Sequence, residues 1–303
     1  MKVFVTGATG AIGRFAVPEL VAAGHQVIGL ARSDEKAAQL EQQGAAAARV
    51  SMFDEAALKD AFAGCDAVCN LATSIPPVTK AASMKNWAEN ERIRREGSAV
   101  VVNAALAAGV GRVVQESITF TYPDRGTEWI DESVAIAPPP LGEAIPVAEG
   151  NNARFTSEGG IGVVLRFGLF YGPGSDHTLQ FLRAAKRHIA PVAGPGSNYQ
   201  SSIHLHDAGT AVVAALGVPA GVYNVTDDEP LTKKAYAKAL GAALEKGPWL
   251  RFPGRLVRAG GKRSDFMSRS QRVSNGAIKA ATNWTPKYPS AREGWKAVVG
   301  EMP

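Results

Sequence analysis

The chain has 303 residues, 46% of them hydrophobic, with a formal net charge of +5, which suffices for one large α/β domain or for one domain with a smaller lobe. No apolar run reaches the length of a membrane span, and the densest basic cluster, Arg92, Arg94 and Arg95, is broken by Glu91 and Glu96, so neither a membrane nor a nucleic acid is expected as partner. Cys65 and Cys69 are the only cysteines, poorly placed for a bridge and too few for a structural zinc site; with a strand read from Lys2, no signal peptide and a reducing, cytoplasmic compartment are expected.

Lys2 to Thr6 is short, apolar and β-branched, and reads as a buried strand. Gly7, Gly10 and Gly13 follow at once, and an apolar helix runs from Ala11 to Ala23, stopped by Gly24. Glycines between a strand and a helix let a phosphate approach the main chain, where the helix start offers unpaired N–H groups and a positive dipole end. The alternative is a tight turn with no ligand. Gln26 to Leu30 is a second strand, with Arg32 and Ser33 just past it. In a dinucleotide fold an acid there would bond the ribose 2′-hydroxyl. Arg32 offers instead a charged fork of donors suited to a 2′-phosphate, and Ser33 a further donor, so NADP is expected over NAD; the alternative is a surface arginine. Asp34 reads as the cap of the next helix.

Further along, Asp34 to Gln43 reads as helix, Ala46 to Val50 as strand, Asp54 to Ala63 as a helix capped by Asp54, and Asp66 to Leu71 as the fourth strand. Leu71, Ala72 and Thr73 lead into a proline-stiffened loop, Ser74 to Val78, at the carboxyl edge of the sheet. One long helix is expected from Met84 to Ala108, and strand five from Arg112 to Glu116, ending at Ser117. This alternation predicts a Rossmann-type, doubly wound parallel sheet with right-handed crossovers. Tyr122 to Glu149 reads as loop, Asn151 to Glu158 as helix and Gly162 to Phe167 as a buried strand. Beyond lie helices at Leu179 to His188, Asp207 to Leu216, Thr232 to Leu244 and Ala291 to Val299, a strand at Val222 to Val225, and an irregular basic stretch from Arg251 to Arg272. Residues 1–174 are expected to form the nucleotide-binding domain and 175–303 mainly a small α/β substrate lobe, interleaved with it.

Several pieces carry a family likeness: Thr6-Gly7-x-x-Gly10-x-x-Gly13, Asn70-Leu71-Ala72, Ser117 with Tyr122, Leu165-Arg166 before Tyr171-Gly172-Pro173-Gly174, Ile203-His204-x-x-Asp207-Ala208, and Asn283-Trp284-x-Pro286. Together they resemble the extended, atypical branch of the short-chain dehydrogenase/reductase superfamily, which includes the NAD(P)-dependent epimerases and dehydratases. The resemblance implies an NADP(H)-dependent oxidoreductase acting on a small carbonyl, alcohol or sugar-like molecule, with a homodimer as an option. It implies that Thr9, Gly10, Ala11 and Ile12 hold the pyrophosphate, Ser51 and Met52 the adenine, Leu71 to Thr73 the adenosine side, and Gly168, Leu169 and Phe170 the nicotinamide amide.

The family's usual proton-transfer set is a Tyr-x-x-x-Lys pair plus a hydroxyl. With Glu149 matched to the family's glutamate after that lysine, the pair falls on Leu141 and Ile145; the hydroxyl falls on Ile118, flanked by Ser117 and Thr119. No Tyr-x-x-x-Lys occurs between Tyr122 and Tyr171. Ser117 and Tyr122 are therefore the candidate catalytic residues, against the alternatives of a strand-end serine and a loop anchor. Trp87 and Arg94, with Pro76 and Pro77, are candidates for the substrate pocket, and Arg166 for a buried pair. His204, His206 and Asp207 read as lobe structure, with no metal expected. A cofactor-binding sensor without chemistry, or a non-redox epimerase or dehydratase, remains the rival function.

Overall fold

A computed structural model of the chain describes residues 1–77, 80, 83–190, 192–246 and 268–301. Val78 and most of the basic stretch from Arg251 lie outside the described residues. The first half alternates strand and helix: β1 (Lys2–Thr6), α1 (Gly13–Ala22), β2 (Gln26–Leu30), α2 (Asp34–Gln42), β3 (Ala46–Ala48), α3 (Glu55–Ala61) and β4 (Ala67–Asn70). A broken helix follows, α4 (Ala88–Arg92) and α5 (Ser98–Ala107). Then come β5 (Arg112–Ile118), the short β6 (Trp129–Ile130), α6 (Ile145–Ser157), β7 (Ile161–Phe167) and β8 (Leu169–Tyr171). The second half holds α7 (Asp176–Lys186), β9 (Tyr199–Gln200), β10 (Ser202–His204), α8 (Leu205–Ala214), β11 (Gly221–Val225) and β12 (Leu231–Thr232). It closes with α9 (Lys233–Ala243), β13 (Arg272–Val273), α10 (Gly276–Ala281) and α11 (Ala291–Gly300).

Seven strands form one parallel sheet in the order β11-β7-β5-β4-β1-β2-β3. The direction of winding reverses between β1 and β4, which opens a crevice at their carboxyl ends. Alternation along β1 supplies both cores. Val3 and Val5 pack with Val17, Leu20 and Val212 on one face, and Phe4 with Phe62, Val101 and Phe155 on the other. The second half returns to this sheet, since β11 pairs with β7 and α8 packs on α1. The lobe has its own centre in Tyr171, Phe181, Tyr236, Leu240 and Trp295.

Several elements differ from the sequence reading. The long helix is interrupted: residues 84–87 form a 3-10 turn and Ile93–Gly97 a π turn that buries Ile93, Arg94 and Gly97. Gly97 packs against the end of the Met52 side chain; a Cβ there would lie 2.5 Å from Met52 Cε. The third strand stops at Ala48, and strand five continues to Ile118. The expected loop from Tyr122 contains β6, and α6 starts at Ile145, inside that loop, with Pro146 in its first turn, where the missing N–H has no partner to lose. Ser33, not Asp34, caps α2: Ser33 has extended backbone and accepts from Lys36 N, while Asp34 pairs with Arg49. Asp54 caps α3 by accepting from Ala57 N.

His204 closes β10 and caps α8, its Nδ1 accepting from His206 N at 3.2 Å. Asp207 accepts from the Lys287 and Tyr288 amides at 2.8 and 3.1 Å, and Trp284 Nε1 donates to Thr210 Oγ1 at 3.0 Å. The histidine-to-aspartate motif thus clamps the tail motif to α8. Burial pushes both His204 and His177 down to about 4 from the ordinary value of 6.5. The unfolded chain therefore takes up these protons first as pH falls. Their contribution to stability is complete above the ordinary histidine value and is lost on acidification toward about 4. Urea unfolding at about pH 7 and about pH 5 is expected to show lower stability at the acid end, with a smaller drop for His204→Asn, which can keep the cap.

Candidate cofactor and active site

The turn after β1 is built by close approach of backbone to backbone. Gly7 has φ of +64°, and a Cβ there would sit 2.6 Å from Leu71 O. A Cβ at position 13 would sit 2.2 Å from Gly7 O. Gly10 N donates to Gly7 O at 2.9 Å and closes the turn. Among the described residues, the N–H groups of Ala11, Ile12 and Gly13 donate to no backbone carbonyl. A glycine-lined turn with free amides at a helix start fits the diphosphate of a dinucleotide. The same packing brings the turn against Leu71 and Ala72, so these two predicted segments form one place in the fold.

Arg32 is exposed and makes no hydrogen bond or ion pair among the described residues. The Ser33 hydroxyl accepts from Lys36 N at 3.3 Å and keeps its own O–H to donate. Ser51 is exposed and accepts from Phe53 N at 3.2 Å, while Met52 folds back against the π turn. Leu71 is buried, with Ala72 and Thr73 half-buried at the end of β4. The Gly168 and Leu169 amides donate to Val225 O and Ser201 O, both at 3.0 Å, so their N–H groups are spent on the fold. Phe170 packs on Phe167, ring centroids 5.3 Å apart.

The two candidate catalytic hydroxyls are both engaged. Ser117 is fully buried and donates to Glu149 Oε1 at 2.6 Å. Arg166 grips both oxygens of Glu149, Nε to Oε1 at 2.9 Å and Nη2 to Oε2 at 2.7 Å. Its Nη1 donates to the Tyr122 hydroxyl at 2.9 Å, which donates in turn to Asn224 Oδ1 at 2.9 Å. Burial alone would lower the Arg166 guanidinium, but the bonds and charge of Glu149 outweigh it and hold the group above its ordinary value. Burial also raises the Tyr122 phenol, against the pull of Arg166. Tyr122 is thus a neutral, fully buried anchor. Arg166 is the buried pairing residue that the sequence allowed.

Around this network the positions implied for proton transfer are apolar. Ile118 ends β5, Leu141 sits in a single turn over Pro140–Gly142, and Ile145 opens α6 with 2% of its surface exposed. Arg94, a pocket candidate from the sequence, is buried against Glu116 with Nη2 to Oε2 at 2.8 Å, so it stands as structure instead. The sequence does not single out Asn224. It lies 102 residues from its tyrosine partner, and nothing local marks it.

A family described as NAD(P)H-binding matches residues 7–137. A Streptomyces protein named 3-diazoavenalumate denitrifying reductase is 31% identical over 314 residues, covering 97% of this chain and 99% of the relative. The chain belongs to the short-chain dehydrogenase/reductase superfamily. An Arabidopsis thaliana chloroplastic homolog of epimerase family protein SDR39U1 is 27% identical over 268 residues, 86% of this chain and 75% of the relative. Solved structures with the same extended short-chain dehydrogenase fold include human epimerase family protein SDR39U1 with NADPH and Thermotoga maritima UDP-glucose 4-epimerase with UDP-glucose. Their TM-scores are 0.76 and 0.80, each at 21% identity; the first covers 100% of both chains, the second 99% of this chain and 98% of the other. The chain therefore carries an NAD(P)-binding domain on a fold that other members use for reduction, epimerisation and dehydration.

Arg166→Met should strand Glu149 as a buried charge and cost about 3–5 kcal/mol in denaturant unfolding. Adding Glu149→Leu to that variant should recover most of the loss; no recovery would mean the pair is not the source of the stability.

Proposed function

We propose that this protein is an NADP(H)-dependent oxidoreductase that reduces a small electrophile without handing it a proton. The observation that carries this reading is a glycine-lined turn fit for a dinucleotide, together with three apolar side chains, Ile118, Leu141 and Ile145, at the positions the resemblance implies for proton transfer. Thr9 to Ile12 hold the diphosphate, Arg32 and Ser33 the 2′-phosphate, Ser51 and Met52 the adenine, and Leu71 to Thr73 the adenosine side, while Gly168 to Phe170 line the nicotinamide end without lending the Gly168 or Leu169 amide. Bound there, the reduced cofactor supplies a hydride. Ser117 and Tyr122 act as positioning residues, because their hydroxyls are held by Glu149 and Asn224.

A carbonyl that gains a hydride becomes an alkoxide and needs a proton at once, whereas a cationic acceptor becomes neutral. An aryl diazonium is such an acceptor. A C–H bond forms at the ring carbon, the C–N bond breaks with its electron pair leaving on nitrogen, and N2 departs. The name of the Streptomyces relative, a denitrifying reductase for a diazo compound, supports this class. Two buried free cysteines, with the Cys69 thiol pushed up to about 12 by burial, support a reducing, cytoplasmic home.

The same apolar positions favour a second reading, an NADP sensor that does no chemistry. An NADPH-oxidation screen separates the two. Enzyme-dependent turnover is expected with aryl diazonium or iminium acceptors and not with simple ketones or aldehydes. Faster turnover of carbonyls would overturn the proton-free reading, and tight NADPH binding without any turnover would favour the sensor. Arg32→Ala should weaken NADPH binding by about 10- to 100-fold while leaving NADH nearly unchanged, as read by calorimetry.

A further inference from the structure

The short parallel ribbon of β6 and β13 packs beside the segments that leave the carboxyl ends of β5 and β11. Val273 and Ile130 turn inward onto Tyr122, which follows β5. Gln271 Nε2 donates to Tyr122 O at 2.6 Å, and Thr226, the residue after β11, donates to Val273 O at 3.4 Å. Alternation along a strand then directs Arg272 away from that core. Its guanidinium lies 4.1 Å from the ring centroid of Trp129 and 5.1 Å from that of Tyr199.

Arg272 makes no hydrogen bond or ion pair among the described residues, and its Nε is buried without a partner. A guanidinium stacked on aromatic rings has its plane fixed and its fork of N–H donors directed edge-on, the geometry that receives a carboxylate bidentately. Trp129 keeps 50% of its surface exposed beside that fork, leaving apolar ring area uncovered. The charge of the chain agrees. From residue 175 onward Lys and Arg outnumber Asp and Glu, whereas before it the acids are in excess.

We propose that Arg272, Trp129 and Tyr199 form a subsite for a carboxylate carried on a planar, conjugated body, the anionic end of the substrate. The carboxylate meets the free edge of Arg272 and the conjugated body lies along the exposed part of Trp129. Its role as a substrate subsite rests on the reading of the sheet edge as the active cleft. Binding is scored without turnover, so loss of one reading is distinguishable from loss of the other.

The test is calorimetric titration of the NADP-saturated protein with cinnamate, its methyl ester and cyclohexanecarboxylate. Cinnamate is expected to bind about tenfold or more tighter than either comparator. Arg272→Met should abolish the preference of acid over ester, Arg272→Lys should keep part of it, and Trp129→Ala should weaken the aromatic acid more than the cyclic one. Unchanged thermal melting and NADPH binding verify that the variants fold. Equal binding of acid and ester by the wild-type protein, no binding of cinnamate, or a preference that survives Arg272→Met would each overturn the proposal. The acid–ester comparison needs no variant.

Discussion

The fold turns on how closely the main chain after β1 packs against itself and against the end of β4. With no room for a Cβ at Gly7 or Gly13, the backbone forms the floor of the crevice, and the first amides of α1 are left pointing at whatever enters. The sheet order places this turn where the winding reverses, so the gap between β1 and β4 opens beside it. The lobe is tied to the same spot. Arg14, one residue beyond the turn, donates through Nη1 to Gly174 O at 2.6 Å and through Nη2 to Pro173 O at 2.7 Å.

The second constraint is the buried charge pair of Arg166 and Glu149. It joins β7 to α6, takes in Ser117 at the end of β5, and reaches β11 through Tyr122 and Asn224. Burying these charges is tolerable only because each is paired and hydrogen-bonded. The consequence for chemistry is direct. The Ser117 and Tyr122 hydroxyls near the end of β5 are held by Glu149, Arg166 and Asn224, and the side chains at the implied proton-transfer positions are aliphatic.

Much of this is legible in the sequence. The period of β1, β2, β4 and β7, the glycines between β1 and α1, and the Arg32 that replaces an acid are local signals, and the structure places the corresponding strands and turn where they were read. What escaped was non-local or too short to show a period. β6 and β13 are two residues each and pair across a long separation, so no alternation marks them. Ser33 and Asp34 are both good capping residues, and only the extended backbone of Ser33 decides between them. The π turn at Ile93–Gly97 has no local sequence signal, and its contact with Met52 comes from another part of the chain. Tyr122 looked available for catalysis because the residues that consume its hydroxyl, Arg166 and Asn224, lie 44 and 102 positions away.

Hydride delivery without a protein-borne proton is most directly tested by the solvent isotope effect on NADPH oxidation with the best acceptor. Equal rates in H2O and D2O, with deuterium in the product when the cofactor rather than the solvent is labelled at C4, are the predicted result. A marked slowing in D2O, or no acceptor-dependent oxidation at all, would contradict it.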